Sequence, residues 1–343
     1  MKKYFLGAAM LVMGIVCLTS CGGDDEGSGN TINITDKDGN TVQVRKAGAV
    51  TFLYDNFNNF DGFMFNGNSY HLDTDKTLAF SYYDLFSGSD AHYLTNQFMI
   101  KINDRGLVST TEFAVQFIIS EDDEEEEYRI NGKMVYGYNS GKQVTGMSAM
   151  VRTEQITREG GVKVGDKVGQ LDIRHTATWK NGLLTDFEAK EKSSWTNSEQ
   201  KDGRWEDWGW NEEKTTNGMV SYGSETNTAK QLPATLCDLA LYNLCIPMFG
   251  PICLYGPGPT HLPTSCTVYE KETASNGQVE TDEETYTFHF TKNSDGTIAS
   301  EWLDDDDPVQ YQYSITRAID DEQAQHMIVG LMRFLKLKLN IED

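Results

Sequence analysis

Lysine and arginine are scarce in this chain: 29 basic residues stand against 52 acidic ones in 343, a net charge of −23. Such a chain repels nucleic-acid phosphate and anionic headgroups, which excludes nucleic acid as an electrostatic partner and leaves no basic patch to hold a membrane. Catalytic signatures are missing as well. The six histidines (His71, His92, His175, His261, His289 and His326) are scattered and form no HExxH. There is no P-loop and no GxGxxG, and "GMSAM" around Ser148 opens like a nucleophile elbow but fails at its last glycine. No CxxC occurs, which argues against a zinc site, and the acidic runs lack the glycine and terminal glutamate of an EF-hand. With 52 acids, some carboxylate pair always falls at a glycosidase-like separation, so counting carboxylates identifies no hydrolase site. No metal, no cofactor and no catalytic residue is expected.

What is present begins with a leader. Lys2 and Lys3 precede "LGAAMLVMGIV" (Leu6–Val16), a positive region followed by an apolar run of signal-peptide length, too short for a comfortable bilayer span. The next residues, "LTSC", resemble the lipobox of bacterial lipoproteins. That resemblance implies cleavage before Cys21, which would become an acylated N-terminus; residues 1–20 would be the signal peptide. Their removal takes away two lysines and no acid, moving the net charge from −23 to −25. Each buried CH2 contributes roughly 0.8 kcal/mol, so two or three acyl chains hold a soluble domain at a bilayer. The membrane is then a partner through lipid alone. After Cys21, "GGDDEGSGN" (residues 22–30) is too polar and glycine-rich to fold and reads as a tether of up to about 30 Å.

From residue 31 to 343 the chain reads as one mainly β domain. Apolar residues alternate in "LDIRHTATW" (Leu171, Ile173, His175, Ala177, Trp179), "QFMIKI" (Phe98, Ile100, Ile102), "YTFHFT" (Tyr286, Phe288, Phe290) and "YQYSI" (Tyr311, Tyr313, Ile315). Each pattern predicts a strand with one apolar and one wetter face, as in antiparallel sheets. Polar clusters ending in glycine recur between them, at Gly106, Gly141, Gly182, Gly218, Gly277 and Gly296. They predict hairpin turns, and the first four, spaced by 35, 41 and 36 residues, suggest a repeated hairpin unit. "SEDDEEEEY" (Ser120–Tyr128) and "DDDD" (Asp304–Asp307) are expected to be solvated loops.

One segment is unlike the rest. "LPATLCDLALYNLCIPMFGPICLYGPGPTHLP" (Leu232–Pro263) carries a single charge, Asp238, in its first 25 residues, yet Pro233, Pro247 and Pro251 bar a membrane helix. It predicts a short buried helix near Ala234–Leu244 and then a Pro/Gly loop, an insertion that fills the apolar face of the sheet like a plug. The expected fold is therefore a long antiparallel β-meander curled into an open barrel around a short apolar helix. A terminal helix and a last strand over Phe334–Ile341 complete the expectation.

The lipobox, the glycine-punctuated meander, the apolar helix and "LYGPGPTHLPTS" (Leu254–Ser265) together resemble a group of uncharacterised Bacteroidota-type lipoproteins with a porin-like fold. The resemblance covers most of residues 31–320 and brings no activity with it. Porin-like describes shape here, because the apolar outer bands and aromatic girdles of a lipid-embedded barrel are absent from the sequence. Acids directly after Cys21 resemble the surface-export signals of such lipoproteins. They point to the outer face of a Gram-negative outer membrane, with the periplasm as the alternative.

Two residue groups are candidates for function. Trp195, Trp205, Trp208 and Trp210 flank the turn "SEQKDG"; in "EDWGWNE" Trp208 and Trp210 point the same way, in line with Glu206 and Glu212. Aromatics beside acids and amides form surfaces that stack sugars, and cross-strand packing is the competing account. Tyr222 completes this candidate ligand-binding set. Cys237, Cys245, Cys253 and Cys266 fall within 30 residues and read either as one or two disulfides or as free thiols in an apolar plug. Cys237 and Cys245, about 12 Å apart along a helix, would not pair with each other. The expected role is a lipid-anchored binding or structural envelope protein, with a glycan or apolar small molecule as ligand. A carrier holding an amphiphile inside the curled sheet is the alternative, and a glycan or ester hydrolase is a third.

Overall fold

The computed structural model describes residues 34–38, 41–48, 50–55, 59–65, 67–81, 92–121, 124–201, 203–241 and 249–313. The leader, Cys21, the tether, Cys245 and the expected terminal helix and strand lie outside the described residues.

The first strands are short: β1 Ile34–Thr35, β2 Thr41–Val42, β3 Val44–Ala47, β4 Val50–Tyr54, β5 Phe60–Phe65, β6 Asn68–His71 and β7 Thr77–Ser81. Then come β8 His92–Ile102, β9 Val108–Glu121, β10 Glu124–Tyr138, β11 Val144–Glu159, β12 Val162–Lys180, β13 Leu183–Lys201 and β14 Arg204–Thr226. The helix α1 spans Ala234–Ala240, and β15 His261–Ala274, β16 Val279–Lys292, β17 Ile298–Leu303 and β18 Val309–Tyr313 follow. Strands β1 and β2 form a ribbon of their own, and the other sixteen form one sheet. In that sheet β7 to β18 run in chain order, β18 pairs with β3, and β3 to β6 follow. Strands β6 and β7 meet through the single bridge Leu72–Leu78, so the sheet is a nearly closed antiparallel barrel. Rings hold that seam where the ladder is thin: Phe63 and Tyr70 lie 5.4 and 6.0 Å from Phe80, which stacks on Phe98 at 5.4 Å.

The expected alternation sets the two faces. On β12, Leu171, Ile173, His175 and Ala177 are buried inside the barrel while Arg174 and Thr176 are exposed outside. Phe98, Ile100 and Ile102 on β8 and Phe288 on β16 likewise enter the core. Outside, Lys133, Arg152, Arg174 and Lys190 occupy exposed positions on four successive strands, β10 to β13. A lipid-facing Lys or Arg costs about 2–4 kcal/mol at a bilayer midplane, so these four positions count against a lipid-facing wall.

The two ends differ. Turns at Asp73–Thr77, Asn103–Leu107, Asn139–Gln143 and Asn293–Thr297 share one end and one construction. The first residue's carbonyl accepts from the fourth, which has positive φ (Lys76, Gly106, Lys142, Gly296), and the first side chain or Asp295 fixes the loop. In the second predicted turn the left-handed residue is thus Lys142, not Gly141. Gly218 corrects the predicted repeat outright: it lies inside β14, opposite Phe187 and Val268. The Phe187 ring covers it, and a Cβ there would sit 2.0 Å from the ring. The glycine makes room for an aromatic rather than for a turn, as Asn-Gly in the sequence had suggested. The acidic run is also corrected, because β9 ends at Glu121 and β10 starts at Glu124, so Glu124–Glu127 are strand residues. Glu127 faces outward between Arg129 and Arg158, which accounts for its burial. Burial opposes its charge, and those guanidiniums with Gln116 outweigh it and hold the carboxyl below the usual range. Asp304–Asp307 is an exposed turn as expected.

The insertion closes the Asn-turn end. Leu236, Cys237, Ala240, Phe249, Leu254 and Tyr255 are buried in the barrel's core. Phe249 packs on Phe60 and Phe63, Tyr255 on Tyr136. Backbone bonds tie the segment to the turns, from the Val108 N–H to the Leu254 carbonyl (2.9 Å) and from the Thr260 N–H to the Gly182 carbonyl (3.0 Å), and the Asn227 side-chain amide donates to the Gln231 and Pro259 carbonyls (2.7 and 2.9 Å). Gly256, at φ 95°, presses on the Lys142 carbonyl where a Cβ would come within 2.0 Å. The first turn of α1 is held by Glu301 on β17, whose oxygens accept from the Ala234 N–H and the Thr235 hydroxyl, both at 2.7 Å, and from the Tyr311 hydroxyl. Burial raises the Glu301 carboxyl above its ordinary range despite those three donors.

Candidate functional site

Strand lengths create a surface that the insertion does not cover. Strands β12 and β13 have 19 residues and β14 has 23, whereas β17 has 6 and β18 has 5. At about 3.3 Å per residue, β12 is roughly 60 Å long and β18 roughly 17 Å. The tall wall therefore rises past the short arc at the end away from the insertion. Strand β16 shows the step: it pairs with β17 only over Phe288–Lys292, leaving Val279–Tyr286 with β15 on one side.

On the inner face of that rise, register brings the tryptophans together. Trp195 lies directly opposite Trp210 and Asn197 opposite Trp208, so three of the four share one face. Trp205, opposite Gln200, is on the other face. Trp195 is buried at 8% exposure, Trp210 is half-buried and Trp208 is 39% exposed. The ammonium of Lys167 sits 5.9 Å from the Trp195 ring centre, and that of Lys201 sits 5.3 Å from Trp208. Along the same face, Gln155 Nε2 donates to Glu126 at 2.7 Å, and the Tyr128 hydroxyl donates to that carboxylate as well. Lys214 meets Glu270 at 2.8 Å, and Tyr286 donates to Glu284 at 2.5 Å. Partial burial, with Glu284 beside it, raises the Tyr286 phenol above its usual range. Exposed rings beside amides, carboxylates and ammonium groups have the chemistry to stack and orient a polar ligand.

The other candidates fall elsewhere. Tyr222 is twelve residues along β14 from Trp210, roughly 40 Å by strand rise, and donates to the Leu184 carbonyl at 3.0 Å near the plugged end. Among the cysteines, no disulfide joins any two of Cys237, Cys253 and Cys266, all of which are buried. Burial pushes the Cys253 and Cys266 thiols up to about 12. Cys237 and Cys253 lie in the insertion and Cys266 on β15. Sequence reasoning passed over Glu126, Gln155, Lys167 and Glu270. Each sits at an inward position of a strand whose inward positions nearer the insertion are mostly apolar, and only the register shows that they share one face.

No known protein family matches the chain, and no curated protein does. Among solved structures it is similar to the crystal structure of a porin-like protein from Bacteroides vulgatus, with 9% identity and a TM-score of 0.41 over 79% of this chain and 98% of that one. A porin-like protein from Bacteroides uniformis is 11% identical, with a TM-score of 0.25 over 71% of this chain and 94% of that one. Both likenesses are remote and say nothing of a ligand.

Proposed function

We propose that this protein is a non-enzymatic, lipid-anchored envelope protein that binds a glycan on the inner face of its tall wall. The observation that carries the reading is the convergence of Trp195, Trp208 and Trp210 on one partly exposed face beside Asn197 and Glu212. Rings supply stacking area, and the polar groups around them fix orientation. The charged outer wall keeps the barrel in water, which suits attachment through an acylated Cys21 and a tether, at the outer surface of the outer membrane or in the periplasm. The carrier alternative loses support because Leu236, Phe249 and Tyr255 occupy the apolar interior that an amphiphile would need.

A glycan array probed with the full-length protein tests this. Binding is expected for the native chain and is lost in the joint Trp208→Ala, Trp210→Ala variant. Retention of binding in that variant, with its thermal melt unchanged, removes the tryptophan face from the proposal. Turnover of a bound glycan, abolished by one Asp or Glu substitution, replaces the binding reading with the hydrolase.

A further inference from the structure

The tryptophan face continues into an acidic one. Glu212 on β14, Glu270 and Glu272 on β15, and Glu280, Asp282 and Glu284 on β16 all take inward positions. Glu270 lies directly opposite Asp282, and Glu272 directly opposite Glu280. Like charges set opposite each other on one face of a ladder are unfavourable, by about 0.2–1 kcal/mol a pair. Lys214 offsets one of them through its 2.8 Å contact with Glu270. Asp282 stands two strand spacings across from β14, level with Thr216 and so six residues along from Trp210, about 22 Å in all, and Glu272, level with Lys214, is about 14 Å from Trp210. An oligomer of about five sugars spans the rings and the carboxylates together.

The second observation comes from the rings themselves. Two of the three inner tryptophans already carry an ammonium over the face, from Lys167 and Lys201. A ring face that holds a cation is a poorer seat for a neutral sugar, which must displace the lysine and replace nothing of its charge. An ammonium on the sugar itself substitutes for the lysine on the ring, and the ammonium groups of later sugars in the same oligomer reach the opposed carboxylates farther along the wall. The chain's net charge of −23 draws such a ligand in at long range.

We infer that the tall-wall face selects glycans bearing free amino groups, oligomers of a deacetylated hexosamine, with sugar rings on Trp208 and Trp210 and ammonium groups against Glu270, Glu272 and Asp282. The inference rests on the glycan reading above and names the class of glycan.

Titration calorimetry on the full chain with three probes, glucosamine oligomers, their N-acetylated equivalents and neutral glucan oligomers of equal length, separates the two. Glucosamine oligomers are expected to bind at least about tenfold tighter than the N-acetylated ones at low salt and to lose most of that margin at high salt. The joint Glu272→Gln, Asp282→Asn variant, which spares the contact between Lys214 and Glu270, is expected to lose the margin with an unchanged melt, since it relieves like-charge opposition and deletes no packing. Equal or tighter binding of N-acetylated or neutral oligomers overturns the amino-sugar inference and leaves the glycan reading standing. Failure of all three probes overturns both. Spermine, added as a fourth probe and bound where none of the three oligomers binds, also overturns both, by showing a site for polyamines.

Discussion

His175 shows what a single residue reveals only when its surroundings are known. It sits in an alternating strand pattern and reads as one more inward residue, which it is. Inside the barrel it stacks on Phe187 at 5.9 Å and packs near the end of α1. The Ala240 carbonyl is the one polar group that favours its charge, and neither ring nitrogen reaches hydrogen-bonding geometry. Burial accordingly lowers its pKa from 6.5 to about 4. A lowered histidine pKa means that the unfolded chain binds the proton more readily than the folded one. Stability is then full above pH 6.5 and falls as the pH drops towards 4, by about 3 kcal/mol from this group. In urea titrations at pH 7 and pH 4, His175→Leu is expected to lose that share of the pH dependence and to be no less stable than the native chain at pH 7, since it removes a buried donor without a partner. A native chain equally stable at both pH values, with the variant matching it, removes His175 as the acid-sensitive group. Glu301 was not legible as a helix cap at all. Its contacts with Ala234 and Thr235 span 67 and 66 residues of sequence.

Among the elements, strands were legible and turns partly so. Alternation placed Leu171–Trp179 and Phe98–Ile102 on the correct faces, because one side of each packs on the core and the other meets water. The α1 helix falls within the expected Ala234–Leu244 and ends, as described, at Ala240. Gly218 failed because Asn-Gly is a local signal, and the Phe187 ring that demands the missing Cβ comes from the neighbouring strand. Phe187 is itself buried, so it cannot swing clear of a new side chain. Gly218→Val is expected to destabilise by about 1–3 kcal/mol, read as a fall in melting temperature, and Phe187→Ala should cancel part of that loss. Strict additivity of the two substitutions would show that the ring does not depend on the notch.

For the molecule as a whole, the distribution of charge bears on how it meets a membrane. Lys133, Arg152, Arg174 and Lys190 on the outer wall and aromatics inside are the reverse of a pore in a bilayer. Membrane attachment is then expected to depend on Cys21: in fractionated cells, Cys21→Ala moves the protein from membranes to the soluble fraction without altering its melt. Persistence of the variant in membranes would assign attachment to the barrel. Composition, charge and period-two patterning by themselves determined an acidic, antiparallel, curled sheet with an apolar insertion, since these depend on each strand's own contrast between core and water. They also located the tryptophans on one turn. Only the tertiary structure decided that three of them share a face with Glu126, Lys167 and Glu270 while Tyr222 lies far off. That outcome depends on register between strands and on the unequal heights of the wall, and neither is carried by any local run of residues.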